Sequence, residues 1–315
     1  MPRRRVAVAL LPPKAISAQI QGLRSLLDDP RITDLPPHLT LVPPVNLGEQ
    51  DLRSLRGALR SVAARSAEFE LRLGPVSSFA PATPTLHLSV SGQVAALREL
   101  REQLRVPPVD RPETWPFTAH VTLRESVALE QIAPALLLLT GELAAWTVDR
   151  VYVLEQRPQG KLARWVPIAE EPFGAPVVVG RGGIELLLRT ISLLEPQVEQ
   201  LLSEHSPLRP SELEDQDGQM LVIAEHVEHP GRAVGVALGV VSGGSAELQQ
   251  LLVDPECRLQ GIARHTLMHW CSEAANRNAK VAVAAFSESA QILQSWGFER
   301  VGASMLRQLL IDSSG

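Results

Sequence analysis

Two short motifs carry the side chains best suited to chemistry: His38-Leu39-Thr40-Leu41 and His120-Val121-Thr122-Leu123. In an extended chain, residues i and i+2 share a face. Each motif would therefore aim one imidazole and one hydroxyl the same way, with its two apolar residues turned to a core. Two imidazoles in one cleft suit acid–base work near neutral pH. One, unprotonated, can activate a water or hydroxyl, and the other, protonated, can donate to a leaving oxygen. Two threonine hydroxyls would donate to a non-bridging phosphate oxygen. No metal is required, and the set matches cleavage of a cyclic or 2′–5′ phosphodiester. A single His-x-Thr is ordinarily a satisfied strand histidine. Two copies among eight histidines, each with apolar residues at +1 and +3, are hard to ascribe to chance.

The elements that must position these motifs are themselves repeated. Val6–Leu11 reads as a short apolar strand. A helical pattern follows at Ile16, Ile20, Leu23, Leu26 and Leu27, ends near Asp28-Asp29-Pro30, and leads to the first motif strand. Leu86–Val90, a helical pattern at Val94, Leu97, Leu100 and Leu104, and the second motif give the same order again, with the two histidines 82 positions apart. Strand–helix–strand twice over predicts two similar lobes whose His-Thr pairs meet across one cleft. Strands at Val151–Glu155 and Trp165–Ile168 close this half.

A second chemical signal lies at Val253-Asp254-Pro255-Glu256-Cys257-Arg258-Leu259-Gln260-Gly261-Ile262-Ala263. An apolar strand enters a glycine loop and a helix starts at once. Backbone N–H groups at such a start bind pyrophosphate, and Gly261 and Ala263 leave the backbone approachable. Around it the pattern predicts a helix over roughly Gly183–Glu204, then strands at Met220–Ala224, Ala233–Val241 and Ala246–Val253. A helix over Ile262–Asn276, a strand at Val281–Phe286, a helix near Ser289–Ser295 and a final strand after Gly297-Phe298 complete a mixed α/β half. Glu247 is a candidate base. His265 and His269 share a helix face but lack an HExxH context, so no metal is expected. Cys271 reads as core, Glu212–Asp217 as a solvated acidic loop, and Arg124 as either a phosphate contact or a solvent-facing residue. His87 reads as a partly exposed strand residue, with a place bordering the cleft as the alternative.

Charge separates the halves. Residues 1–174 carry 20 Lys/Arg and 18 Asp/Glu, net +2, whereas residues 175–315 carry 10 and 17, net −7. The Pro/Gly-punctuated stretch Glu170–Pro176 is the expected boundary, giving domains 1–174 and 175–315. The 315 residues are 45% hydrophobic and 21% charged, which excludes wholesale disorder. A net charge of −5 argues against a protein that coats nucleic acid. Two cysteines, Cys257 and Cys271, make no disulfide framework and fit a reducing compartment. The run Val6–Leu11 is too short for a secretion signal, and no stretch nears the ~18 apolar residues of a membrane span. The expectation is a soluble, cytoplasmic protein.

Residues 1–174 resemble the 2H phosphoesterases, in particular the 2′–5′ RNA ligase-like (LigT-like) branch that acts as an RNA 2′,3′-cyclic phosphodiesterase. The matching pieces are the first strand running into Pro12-Pro13, Pro37-His38-Leu39-Thr40-Leu41, Thr118-Ala119-His120-Val121-Thr122-Leu123, Leu154–Pro158 and Ala163–Ala169. The resemblance implies His38 and His120 as the catalytic pair, Thr40 and Thr122 as phosphate-binding, a two-lobed pseudo-symmetric fold, and a nucleotide or RNA-end substrate. Residues 176–315 resemble the GNAT N-acetyltransferases through Arg258-x-x-Gly261-x-Ala263, the strand Leu248–Val253 and Ser295-Trp296-Gly297-Phe298. That resemblance implies acetyl-CoA as cofactor, held by Leu252, Val253 and Arg258, Leu259, Gln260, Gly261, Ile262 and Ala263, with an amine as acceptor. Many members place a tyrosine four residues before the Gly-Phe element as acid to the leaving thiolate. Here that position is Leu293, and the only tyrosine of the chain, Tyr152, lies in the other half.

The expected protein is thus α+β with mixed α/β character, a metal-independent phosphodiesterase joined to an acetyl-CoA-dependent transferase. The alternatives are a transferase whose first half binds a nucleotide or RNA end, and a second half that binds CoA without catalysis. Neither membrane nor duplex nucleic acid is an expected partner.

Overall fold

The computed structural model describes residues 3–110, 112, 116–138, 140–159, 162–174, 177–180, 185–192, 194–206, 217–227, 229, 231–284 and 290–309. The chain forms two compact units, Met1–Ala175 and Pro176–Gly315.

The first unit begins with β1 (Arg4–Leu10), α1 (Lys14–Leu26) and β2 (Leu39–Leu47), followed by α2 (Glu49–Ala63) and β3 (Phe69–Ser78). The order then recurs as β4 (Leu86–Gly92), α3 (Val94–Leu104) and β5 (His120–Arg124). It ends with α4 (Leu129–Leu136), β6 (Ala144–Val148), β7 (Arg150–Gln159) and β8 (Leu162–Pro172). Two four-stranded antiparallel sheets result, ordered β2-β1-β7-β8 and β5-β4-β3-β6. The repeat read in the sequence is therefore present, and each motif strand is the edge of its own sheet. The edges β2 and β5 touch.

Alternation explains the packing. Val121 and Leu123 of β5 are buried, as are Leu39 and Leu41 of β2, while Thr122 and Thr40 between them are only half-buried. One apolar core joins both sheets with α2 and α3, through Leu52, Leu55, Leu59, Leu97, Leu100 and Leu104. The motif backbones are thus fixed from behind by apolar burial, the main favourable term in folding.

The second unit is one eight-stranded sheet ordered β15-β16-β14-β13-β12-β11-β10-β9. Its strands are β9 (Val177–Gly180), β10 (Glu185–Ile191), β11 (Gln219–His226), β12 (Ala233–Ser242), β13 (Ser245–Val253), β14 (Val281–Ala284), β15 (Glu299–Val301) and β16 (Ser304–Gln308). Helix α5 (Pro196–His205) packs Val198, Leu201 and Leu202 on one face, and α6 (Ile262–Asn276) packs Leu267, Trp270 and Ala274 on the other. A short helix α7 (Ala290–Ser295) precedes the last hairpin.

The helix expected over Gly183–Glu204 is corrected. Residues 185–191 form β10, paired antiparallel with β11 from Leu186↔His226 to Ile191↔Leu221, and only Pro196–His205 is helical. A short apolar run fits a buried strand as well as a helix, and the sheet offered Leu186 and Leu188 a partner. Pro196, favoured in a first helical turn, marks the true start. Residues 181–184 lie outside the described set, as do Glu212–Gln216 of the acidic run and residues 285–286 of the expected strand. The expected final strand is a hairpin of two.

Gly239 shows how tightly α6 sits on this sheet. A Cβ there would lie 2.2 Å from the Glu247 carbonyl oxygen and 2.5 Å from Trp270 Cζ2. Gly239→Ala is expected to destabilise the second unit by about 3 kcal/mol, the upper range for overpacking, read as a lower urea midpoint for its unfolding.

Candidate functional site

The two motifs present their histidines identically. His38 sits just before β2 and His120 opens β5. His38 Nδ1 lies 2.8 Å from the Pro36 carbonyl oxygen, and His120 Nδ1 lies 2.8 Å from that of Thr118. A carbonyl only accepts, so each Nδ1 carries the proton and each Nε2 is the free nitrogen. Burial, opposed in part by the bond to Pro36, pushes His38 down to about 4, and charge on Arg24, His120 and Arg31 acts in the same direction. His38 is therefore neutral near pH 7, with an Nε2 lone pair to accept a proton.

Helix α1 supplies the residue that ties the motifs together. Arg24 is 1% exposed. Its Nε and Nη2 donate to the Thr122 carbonyl at 3.1 and 2.8 Å, and its Nη1 donates to the Leu35 carbonyl at 2.6 Å. Asp29 Oδ2 stands 3.9 Å from Nε. One guanidinium thus grips the backbone of the second motif and the approach to the first. Arg124 adds a bond from Nη1 to the Leu27 carbonyl, and Arg31 pairs with Glu125 at 2.9 Å. Arg124 is hence a stitch between the lobes rather than a solvent-facing residue.

His87 is likewise corrected. It is 4% exposed, not a partly exposed strand residue. Residues opposite each other in an antiparallel pair share a face. His87 is opposite Thr122, and Ser89 is opposite His120, so all four face one way. The same rule places Ala9, opposite both Thr40 and Tyr152, on the motif face of the first-lobe sheet. Burial and the nearby charge of His120 push His87 down to about 4. Arg24, Phe79 and the true setting of His87 were missed in the sequence. The one available signal was the helical spacing that puts Arg24 beside Leu23 and Ile20.

In the second unit, β13 pairs with β14 only from Ser245↔Val281 to Leu248↔Ala284. Among the described residues the β13–β14 register ends there, and a bulge at this point interrupts the pairing with β12. The loop beyond holds Leu259 at φ 64° and Gly261 at φ 81°. Left-handed residues in such a loop turn backbone N–H groups inward as an anion nest. Gly261 is the N-cap of α6 and no side chain caps the helix. An uncapped helix start after a left-handed loop is an arrangement that can receive a phosphate group. Leu252 and Ile262 are buried, Val253 and Ala263 half-buried, and Arg258, Leu259, Gln260 and Gly261 exposed. Glu247 is exposed on β13 beside Val240 and Val283. Leu293 is 1% exposed within the core against α6. His269 meets Thr190 at 3.4 Å, and among the described residues no cluster of three or more His, Cys, Asp or Glu side chains is placed to hold a metal ion. Among them, too, no helix is long and apolar enough to cross a membrane.

These features define a two-histidine phosphoesterase unit followed by an acyl-CoA transferase fold. The chain belongs to the 2′-5′ RNA ligase superfamily, which matches residues 12–160, and it carries an acetyltransferase (GNAT) domain, matched over residues 193–310. “Putative phosphoesterase BH1439” of Halalkalibacterium halodurans is 32% identical over 155 residues, 49% of this chain and 90% of that protein. “Putative phosphoesterase OB1230” of Oceanobacillus iheyensis is 30% identical over 154 residues, 48% of this chain and 89% of the other. Among solved structures, E. coli LigT complexed with 3′-AMP has a TM-score of 0.42 and 17% identity, covering 54% of this chain and 98% of LigT. The ribosomal-protein-S18-alanine N-acetyltransferase of Escherichia coli has a TM-score of 0.36 and 14% identity, covering 41% and 97%.

Arg24→Met would leave two half-buried carbonyls without their donor and the buried Asp29 without its ion-pair partner. The expected loss is about 3 kcal/mol in urea unfolding of the first unit. Arg24→Lys should recover only part of it, because one ammonium lacks the fork that reaches both carbonyls. The histidines predict a pH dependence. Unfolded, both protonate near the ordinary value of ~6.5, while in the fold His38 and His87 do so at about 4. The unfolded chain binds more protons between these values, so stability is complete above pH ~6.5 and falls as pH drops towards 4. Urea midpoints measured across that window should decline, and less steeply in His87→Phe.

Proposed function

We propose that the first unit is a metal-independent phosphodiesterase that opens 2′,3′-cyclic phosphate ends of RNA or related cyclic nucleotides. The observation that carries this reading is the matched pair of Nδ1 bonds, which leaves each Nε2 to exchange a proton, on strands whose spacing puts Thr40 and Thr122 on the same face. Neutral His38 takes a proton from water as the water oxygen attacks phosphorus. His120, entering the step as the doubly protonated imidazolium, gives its Nε2 proton to the departing ribose oxygen as that oxygen's bond to phosphorus breaks and is left neutral with Nδ1–H on the Thr118 carbonyl. Thr40 and Thr122 donate to the non-bridging oxygens, whose charge grows in the transition state. A first half near electrical neutrality suits a small nucleotide or RNA end.

A panel of 2′,3′-cyclic nucleotides and cyclic-phosphate oligonucleotides, with chelator present, tests this reading. Wild type should turn over at least one, and His38→Ala or His120→Ala should each lower kcat by about 10²–10⁴-fold. Equal turnover by His38→Ala would sink the assignment.

For the second domain we propose acetyl-CoA binding, in an arrangement of domains 1–174 and 175–315. When bound, acetyl-CoA supplies an activated acyl group for an amine. The chain's own part is to hold pantetheine along Leu252 and Val253 and pyrophosphate at Arg258–Ala263, with Glu247 to deprotonate the acceptor. The buried Leu293 favours a second reading, a CoA-binding module with little transfer, since no hydroxyl stands there to protonate a thiolate. Calorimetry with acetyl-CoA should show binding, and Gly261→Val should weaken it at least about 10-fold, because a β-branched residue resists a positive φ. No heat with wild type would remove both readings.

A further inference from the structure

The two lobes agree in their motifs but differ beneath them. The position facing Thr40 is Ala9, and the corresponding position facing Thr122 is His87. His87 is buried, with the Thr85 backbone as a weak partner and no well-formed bond at Nδ1 among the described residues. A buried imidazole so thinly satisfied is costly, so this ring is poorly explained as filler.

Its surroundings explain it better. The His87 ring stacks on Phe79, with centroids 4.0 Å apart and planes at 19°. Both rings meet His120 edge to face: His87 at 5.6 Å and 71°, Phe79 at 4.9 Å and 90°. A single Nδ1 bond to Thr118 leaves an imidazole able to rock about that bond, whereas ring contacts at defined angles do not. His38 has the same Nδ1 bond, but the described residues place no aromatic ring against it.

We propose that His87 is a positioning residue for His120, fixing with Phe79 the ring orientation that keeps His120 Nε2 in the cleft. The proposal rests on the two-histidine phosphodiesterase reading for its consequence in turnover, though not for its structural content. His87 touches no reacting atom and acts through His120 alone. Ala9 gives the first lobe no such support, so the two motif histidines are held by unequal means.

The test uses the full chain labelled with ¹⁵N-histidine, the signals being assigned by single substitutions. Recorded at about pH 9, above the ordinary histidine range, His38 and His120 should both show the Nδ1-protonated tautomer. His87→Ala should convert the His120 signal to a tautomer mixture and leave that of His38 unchanged, which makes His38 an internal control for the fold. Turnover of a cyclic nucleotide should lose roughly 10–100-fold in kcat, as small misplacements of catalytic groups do, with KM within about twofold. His87→Phe, which keeps the ring plane, should restore the His120 signal and most of kcat. If the alanine variant does not fold, His87→Leu takes its place, filling the space without a plane. The proposal is overturned if the His120 signal survives His87→Ala, if His38 changes equally, or if the phenylalanine variant is as impaired as the alanine one. Should wild type cleave no phosphodiester, the functional reading falls, while the nitrogen spectra still decide whether His87 holds His120.

Discussion

The first unit depends on one buried guanidinium. Arg24 reaches from α1 in the first lobe to the Thr122 carbonyl in the second, while holding the Leu35 carbonyl that leads into the first motif. Apolar packing alone could let the two sheets slide, because burial is non-directional. Three donors in a planar fork cannot slide without breaking charge-assisted bonds inside the protein. The relation between the motifs is therefore set by hydrogen-bond geometry, and the common core supplies the energy that keeps Arg24 buried. The same positive charge, close to His38, disfavours its protonation. One residue thus links fold to chemistry: it aligns the two strands and helps keep one of their imidazoles neutral.

Internal duplication supplies two similar imidazoles, yet acid–base catalysis needs two that behave differently. The structure breaks the symmetry in the shell beneath them. The first lobe puts a methyl group at Ala9, with cationic side chains close to His38. The second puts two stacked rings under His120. The motifs are the repeated feature, and the divergence lies at Ala9 and His87, positions that only register reveals as equivalent.

Much of this was legible in the residues, and the limits have physical causes. The motif strands and the duplication could be read because a period of two and a repeated order of elements survive in one dimension. Helix α6 could be read because a glycine N-cap and an apolar face mark it. The segment at 183–204 could not, since an apolar run of strand length has no period of its own, and the partner strand, not the run, decides its form. Arg24 was invisible for a different reason. An arginine on an amphipathic helix is ordinarily solvated, and only the second lobe's carbonyl makes burial favourable. His87 was misplaced because its partners, Phe79 and His120, lie on two other segments.

The second unit shows the same contrast between framework and chemistry. The β12–β13 bulge next to Leu248 and the left-handed loop at Leu259–Gly261 are backbone features, tolerant of side-chain change. A proton donor is a side-chain feature, and Leu293 at 1% exposure has been absorbed into the core against α6. A hydroxyl at that position would need a polar partner inside a cluster of apolar side chains such as Leu267, Trp270, Phe298 and Met305. A backbone cradle and a side-chain proton donor are therefore independent features of such a fold, and this unit has the left-handed loop without a hydroxyl at Leu293.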